Sequence, residues 1–347
     1  MGCGSSAPKH AQGKAAAKPS SGAAAAAAAE RKKKLDPKDY LISKRVGEAI
    51  VKQEGVIAGE QFNIEDCKNC DIFLMDYIAT AFVDECEGCR IFIGPTESSV
   101  MVRNCKSCDF IIACQQFRSR DCEKCKLALF CTTEPIIETS TNMQFACFDF
   151  GYFSLRRQIQ QAGLKLWNNK WSQVYDFNKN NDKSNWSFFP QDEVRRLLRP
   201  GACEGGITPE ELEMDQVVPV TLGNRPWPFK ESSLICVLPD SEAYVEALLS
   251  KVTTTEGWIL TRTRSMLLSK DQLTTLFAWA KEPKLATQCK GREVTGIEIC
   301  GTGIQRQVED ALRTTGLAAG SKSIRLVPEG EAKTLGKAFF EVWKDEI

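Results

Sequence analysis

The 347-residue sequence contains one histidine, His10, so chemistry that hands a phosphoryl group through a histidine has no residue to use beyond the first few positions. It has no excess of either charge: Lys plus Arg and Asp plus Glu number 45 each. With no global field to draw it to nucleic acid or to acidic lipid, any charge-driven partner must be met by a local patch. It also lacks any run of about 18 or more apolar residues, so no helix is expected to span a membrane. The opening MGCGSSAPKH has no apolar core of a secretory signal. Its thiols are therefore expected to be reduced, in the cytosol.

Cysteine is what the chain has in quantity, 16 residues, and their spacing carries the fold. The pairs Cys67/Cys70, Cys86/Cys89, Cys105/Cys108 and Cys122/Cys125 begin 19, 19 and 17 residues apart, and a degenerate fifth copy places Ser140 and Met143 eighteen residues on. Between the pairs the side chains alternate, which is strand periodicity. Three residues before each pair stand Ile64, Val83, Val102, Ser119 and Ile137; five before stand Phe62, Ala81, Val100, Phe117 and Pro135. These columns are expected to point inward. The positions two before (Glu65, Asp84, Arg103, Arg120, Glu138) and four before (Asn63, Phe82, Met101, Arg118, Ile136) are expected to point out. Apolar triplets such as Ile72-Phe73-Leu74 and Phe110-Ile111-Ile112 follow the pairs and supply a second buried side. A repeat of this length, with equivalent residues stacking coil on coil at roughly 4.8 Å, is that of a parallel β-helix.

The same pairs have the spacing of zinc knuckles. Against zinc, the pairs recur with strand alternation instead of converging on one point, and a Met stands at one equivalent position, as suits a core column. Four regions follow: a disordered basic arm over 1–36, a β-helix with its cap over 37–190, a linker over 191–230 rich in Pro, Gly and charge, and a small α/β domain over 231–347. The cap is assigned to the aromatic-rich residues 151–190, covering the open end of the coil stack. In the last region strand, helix, strand, helix, strand alternate, with helices near 241–253 and 269–282 and a strand at VTGIEICG, in the manner of a ferredoxin-like fold.

One segment, CQQFRSRDC (114–122), sets polar residues between cysteine pairs. Gln116, Arg118 and Arg120 alternate with Phe117 and Ser119, so the polar three share the outer face. Arg120 and Glu138 fall in one column on adjacent coils, which predicts a pair that braces the face on which Arg118 stands. The coil here is two residues short, which removes slack from its loop. An arginine flanked by glutamines on a rigid sheet suits stabilisation of a transferred phosphoryl group in trans, because a planar guanidinium reaches several phosphate oxygens at once.

The cysteine-paired coils, GEQFNIEDCKNC, CQQFRSRDC and EPIIETSTN together resemble the tubulin-folding cofactor C family, from LDPKDY (35–40) through NWSFFP (185–190). The resemblance implies a right-handed parallel β-helix and activation of an ADP-ribosylation-factor-like small GTPase in its GTP form, with Arg118 as the arginine finger. It implies that Gln115, Gln116 and Glu138 support the finger or contact the partner, and that Phe177 in VYDF is an apolar contact. No cofactor belongs to the chain itself: GTP and Mg2+ belong to the partner GTPase. Whether tubulin is also a partner is left open, as is a non-catalytic role, an effector or scaffold that binds the GTP-loaded GTPase. The resemblance further implies that the C-terminal domain is like nucleoside diphosphate kinase, yet with His10 as the one histidine it is not expected to have that activity.

The terminus Met1-Gly2-Cys3-Gly4-Ser5-Ser6 fits myristoylation at Gly2, with Cys3 next to it for palmitoylation and the basic run Arg31–Lys34 behind. One acyl chain gives marginal binding, so two chains plus a basic patch are what stable anchoring takes. This predicts the cytoplasmic face of the plasma membrane, and with the family resemblance a role in ciliary or membrane-protein trafficking.

Overall fold

A computed structural model of the protein describes residues 36–179, 183–197, 217–239, 241–282, 284–314 and 323–343. Met1–Asp39 and Tyr40–Ile347 are separate units. The expected arm, with Gly2, Cys3 and His10, lies outside the described residues.

Each cysteine pair is the inside of a chain corner. The residue before the first cysteine (Asp66, Glu85, Asn104, Asp121, Thr139 at the degenerate copy) and the residue before the second (Asn69, Gly88, Ser107, Lys124, Asn142) all have φ between 44° and 64°. Two left-handed residues three apart turn the strand sharply, and Asn, Asp and Gly are the residues that tolerate this region. The small thiols then fill the inner side of the bend, where all eight are buried.

The coils build two parallel sheet sides. One holds β1 (Leu41–Ser43), β3 (Phe62–Glu65), β5 (Ala81–Asp84), the second half of β6 (Arg90–Arg103), the second half of β7 (Asp109–Arg120), β9 (Ile136–Glu138) and β11 (Tyr175–Asp176). The other holds β2 (Ala49–Lys52), β4 (Asp71–Leu74), the first halves of β6 and β7, β8 (Lys126–Cys131), β10 (Met143–Cys147) and β12 (Trp186–Phe188). The expected inward columns are buried from Phe62 to Ile137. The parallel β-helix read from the repeat is therefore the observed fold.

The cap is placed differently from expectation. On the second side the residues facing away from the coil interior, Phe73, Phe92, Ile111, Phe130 and Phe148, are also apolar and need cover. Helix α1 (Leu155–Gln161) supplies it by packing Leu155 and Ile159 there, and Gln158 Nε2 donates to Met75 O at 3.1 Å. Residues 151–166 thus clothe a flank, while Tyr175–Asp176 and Trp186–Phe188 continue the solenoid as β11 and β12.

The linker assigned to 191–230 is packed where it is described. The short helix α2 (Val194–Leu197) buries Val194 and Leu197 against the same flank. Residues 217–225 form a strap: Thr221 Oγ1 accepts from Trp171 Nε1 at 3.0 Å, and the Arg225 guanidinium lies 5.0 Å from the Trp171 ring centroid. Leu222 and Gly223 N–H then donate to Leu260 O and Thr261 O of the next domain, both at 2.9 Å. Its prolines and glycines signalled a loop, but its backbone donors are satisfied on two sides, as buried backbone requires.

The C-terminal domain has an antiparallel sheet in the order β14 (Ile259–Leu267), β15 (Glu293–Cys300), β13 (Ser232–Val237), β16 (Ile324–Leu326). Helices α3 (Glu242–Thr254), α4 (Lys270–Leu276), α5 (Leu285–Cys289), α6 (Ile304–Thr314) and α7 (Glu329–Lys337) connect or flank these strands. This is the expected ferredoxin-like order. Among the described residues no helix is long and apolar enough to cross a membrane.

Candidate functional site

The outer face of the first sheet side is laid out by register. Arg118 stands in a column with Phe82 and Met101 on the coils before it and Ile136 and Tyr175 on those after. Every member but Tyr175 is half-buried. Phe82, Met101 and Ile136 in this column offer the guanidinium apolar support and no oxygen acceptor.

The nearest carboxylate comes from the diagonal. Glu138 lies one coil on and two residues along, and its Oε1 is 3.6 Å from Arg118 Nε. Among the described residues no other carboxylate lies within 4.0 Å of this guanidinium. The nearest approach is at Nε and is too long for a hydrogen bond, so among the described residues the guanidinium nitrogens have no hydrogen-bond acceptor. Arg120 is correctly in the Glu138 column, but the predicted pair between them is not made. Arg120 Nε turns instead to Asp121 Oδ2 at 3.2 Å. The left-handed backbone at Asp121 brings that carboxylate beside its neighbour, whereas Glu138 reaches the less exposed Arg118.

Gln115 is exposed at the corner where β7 passes from one side to the other, and its carbonyl accepts from Thr132 Oγ1 and Thr133 Oγ1, each at 3.1 Å. Gln116 Oε1 accepts from Ser99 Oγ at 2.9 Å. The short coil is legible here: β7 runs unbroken from Asp109 to Arg120, while its neighbour β6 absorbs two extra residues.

Phe177 is 66% exposed and Tyr175 53%, with ring centroids 6.3 Å apart in an edge-to-face pair. Phe177 N–H donates to Ile137 O at 2.9 Å, which fixes it beside Glu138 one coil on. Gln116, Arg118, Glu138 and Phe177 are thus gathered on one face, Gln115 stands at its corner and Arg120 at its rim. Tyr175, Ser99 and Asp121 were not singled out from sequence. The alternation in VYDF could have disclosed Tyr175, but the cysteine signal that carried the repeat had already ended.

The cysteines form ladders of thiol donors. Cys89 Sγ donates to Cys67 O at 3.3 Å, Cys108 Sγ to Cys86 O at 3.5 Å and Cys125 Sγ to Cys105 O at 3.6 Å. These sulfurs lie beside backbone carbonyls on successive coils and do not converge on one point, as the four thiolates of a zinc site would. Burial pushes the Cys125 and Cys147 thiols up to about 12. Among the described residues no three His, Cys, Asp or Glu are grouped as metal ligands. The pairs are core columns.

Residues 59–177 match the family model described as Tubulin binding cofactor C, a span that contains every one of the six site residues from Gln115 to Phe177. Protein XRP2 from Danio rerio is 38% identical over 276 residues, covering 78% of this chain and 73% of that protein. Protein XRP2 from Homo sapiens is 39% identical over 284 residues, covering 78% of each. The solved structure of tubulin binding cofactor C from Leishmania major aligns with a TM-score of 0.33 at 17% identity, over 45% of this chain and 92% of that one. The repeat and the identity over most of both chains lead to one conclusion: the chain belongs to the Protein XRP2 group of the tubulin-folding cofactor C family.

Proposed function

We propose that this protein is a membrane-anchored GTPase-activating protein that supplies Arg118 in trans to an Arf-like small GTPase. The observation that carries the reading is the Arg118 guanidinium, half-exposed on a rigid parallel sheet beside Glu138 and with no hydrogen-bond acceptor among the described residues. Phosphoryl transfer from GTP needs little covalent chemistry from protein; it needs charge placed where the equatorial oxygens develop it. Arg118 would donate from its terminal nitrogens to those oxygens. Gln116 would donate beside it, and Tyr175 and Phe177 would seat the apolar rim of the partner. GTP and Mg2+ arrive with the GTPase.

Gly2 and Cys3 would carry two acyl chains and, with the basic arm, hold the activator on the cytoplasmic face of the plasma membrane, at or near the cilium. The family description brings tubulin in as a second candidate partner. The rival function is that of an effector or scaffold that binds the GTP form and accelerates nothing. It would use the same aromatic patch but would not need the guanidinium.

Single-turnover GTP hydrolysis across a panel of Arf-like GTPases tests the proposal. Stimulation of at least one is expected, with Arg118→Ala removing a factor on the order of 10³ or more while binding to the partner loaded with a non-hydrolysable analogue stays within a few fold. Binding without stimulation by the wild type would establish the effector instead.

A further inference from the structure

Ser99 lies opposite Gln116 only because the coil beneath is bulged. Ile93 pairs with Ile112, Thr96 with Cys114 and Ser99 with Gln116, so three steps on β6 twice meet two on β7. Each bulge advances β6 by one residue and re-aims its side chains, as bulges beside functional sites do. The bulged segment is pinned. A Cβ at Gly94 would sit 2.1 Å from Asp76 O, Ile78 N–H donates to Pro95 O, and Glu97 and Ser98 N–H donate back to Ile78 O and Ala79 O. Asp76 is itself fixed by Gly55, Ile57 and Ala58 N–H on its Oδ2. Ser99 therefore presents its hydroxyl from a rigid frame.

We infer that Ser99 is a positioning residue for Gln116. By donating to Oε1 at 2.9 Å it occupies the carboxamide's acceptor and leaves the amide nitrogen, with its two N–H groups, for the partner on the face that carries Arg118. Among the described residues that nitrogen has no acceptor, and its acceptor is then supplied by the partner at the mouth of its nucleotide pocket. Without the Ser99 hydroxyl the amide is free to turn its carbonyl toward the phosphates, where an acceptor repels. The inference rests on the GTPase-activation reading above.

The test uses the full chain and a GTPase that the wild type stimulates. Ser99→Ala is expected to lower single-turnover hydrolysis at saturating activator roughly three- to tenfold, the range of one hydrogen bond, with affinity for the analogue-loaded partner unchanged within about twofold. Ser99→Thr, which keeps the hydroxyl, should restore the rate. Gln116→Glu can still accept from Ser99 but cannot donate outward, and should fall at least as far as Gln116→Ala. In the Gln116→Ala background, Ser99→Ala should add nothing. If Ser99→Ala works at the wild-type rate, or costs the same with and without Gln116, the inference fails while the reading of Arg118 stands. If Arg118→Ala itself retains stimulation, it is the underlying reading that fails.

Discussion

Arg118 and Glu138 meet across a coil boundary, Nε to Oε1 at 3.6 Å, although the residue in register with Glu138 is Arg120. The side chains are 39% and 26% exposed, and a pair so wet contributes at most about 1 kcal/mol to folding. Its consequence is placement, since the carboxylate draws the guanidinium from the Nε side while no nitrogen of it has a hydrogen-bond acceptor among the described residues.

Glu138→Ala should therefore lower stimulated hydrolysis roughly fivefold or more while the melting temperature moves little, because the guanidinium is released and not removed. Arg120→Ala should stay within about twofold, its partner being Asp121. Single-turnover rates at saturating activator measure both. A larger loss for Arg120→Ala would reassign the finger.

The aromatic pair should act on affinity alone. Tyr175→Ala and Phe177→Ala remove exposed rings, so stability should change by no more than about 0.5 kcal/mol. A ring buried by a partner is worth about 2 kcal/mol or more at a hot spot, so the dissociation constant should rise at least tenfold for Phe177→Ala. Hydrolysis at saturation should be unchanged. A drop in the saturated rate with unchanged affinity would remove these rings from the docking surface.

Buried thiols predict weakness to alkali. An unfolded cysteine ionises near 8.5, whereas burial holds Cys125 and Cys147 up to about 12. A group with its folded value raised contributes stability that is complete below the unfolded value and is lost as pH climbs toward the folded one. At pH 10 the loss is about 2 kcal/mol for each such thiol. Urea midpoints under reductant should fall between pH 8 and 10, and less steeply in Cys125→Ala. A midpoint flat over that range would mean that these thiols are not held protonated.

The coils were legible because strand alternation and the corner both leave marks: period two, and a small buried residue between two left-handed ones. The first four corners carry cysteine and could be aligned by eye. After Met143 the corner residues change, so the coil made by Tyr175–Asp176 and Trp186–Phe188 read as a cap. The outward apolar residues of the second side, Phe73 and Phe92, gave no sign of the helix that covers them, since burial on both faces erases alternation. Of the site, the column assignments followed from the repeat. The choice of Arg118 over Arg120 by Glu138 did not, because register fixes Cα positions while a long side chain selects among its diagonal neighbours.

The proposed membrane attachment rests on Gly2 and Cys3, outside the described residues. Gly2→Ala should release the protein from membranes, and Cys3→Ser should leave it with one acyl chain and transient binding, roughly 10⁴ M⁻¹. Fractionation of cells expressing each variant reads this out. Firm retention of Cys3→Ser would show that a second acyl chain is not needed.

The last prediction concerns where the activator can be cut. Arg118, Glu138, Tyr175 and Phe177 all belong to the solenoid, so a chain ending at residue 230 should retain stimulation, though it loses the β14 carbonyls that accept from Leu222 and Gly223. Ending at residue 197 is different in kind. It removes the strap, and with it the Thr221 hydroxyl on Trp171 Nε1, the Arg225 guanidinium over the rings of Trp171 and Phe188, and the Pro219 carbonyl that accepts from Cys147 Sγ. Trp171 is fully buried in the coil interior, and that end of the stack would then be opened. Burial of a large apolar side chain is worth about 1.5–3 kcal/mol, and an indole N–H left without a partner costs about 1–3 kcal/mol more. The shorter chain should therefore melt well below the longer one, and its loss of activity should track its loss of fold. Thermal melts of the two truncations beside their hydrolysis rates decide the matter: equal melting temperatures would deny the strap its structural part, and a folded 230-residue chain that binds the GTPase without stimulating it would place part of the site in the C-terminal domain.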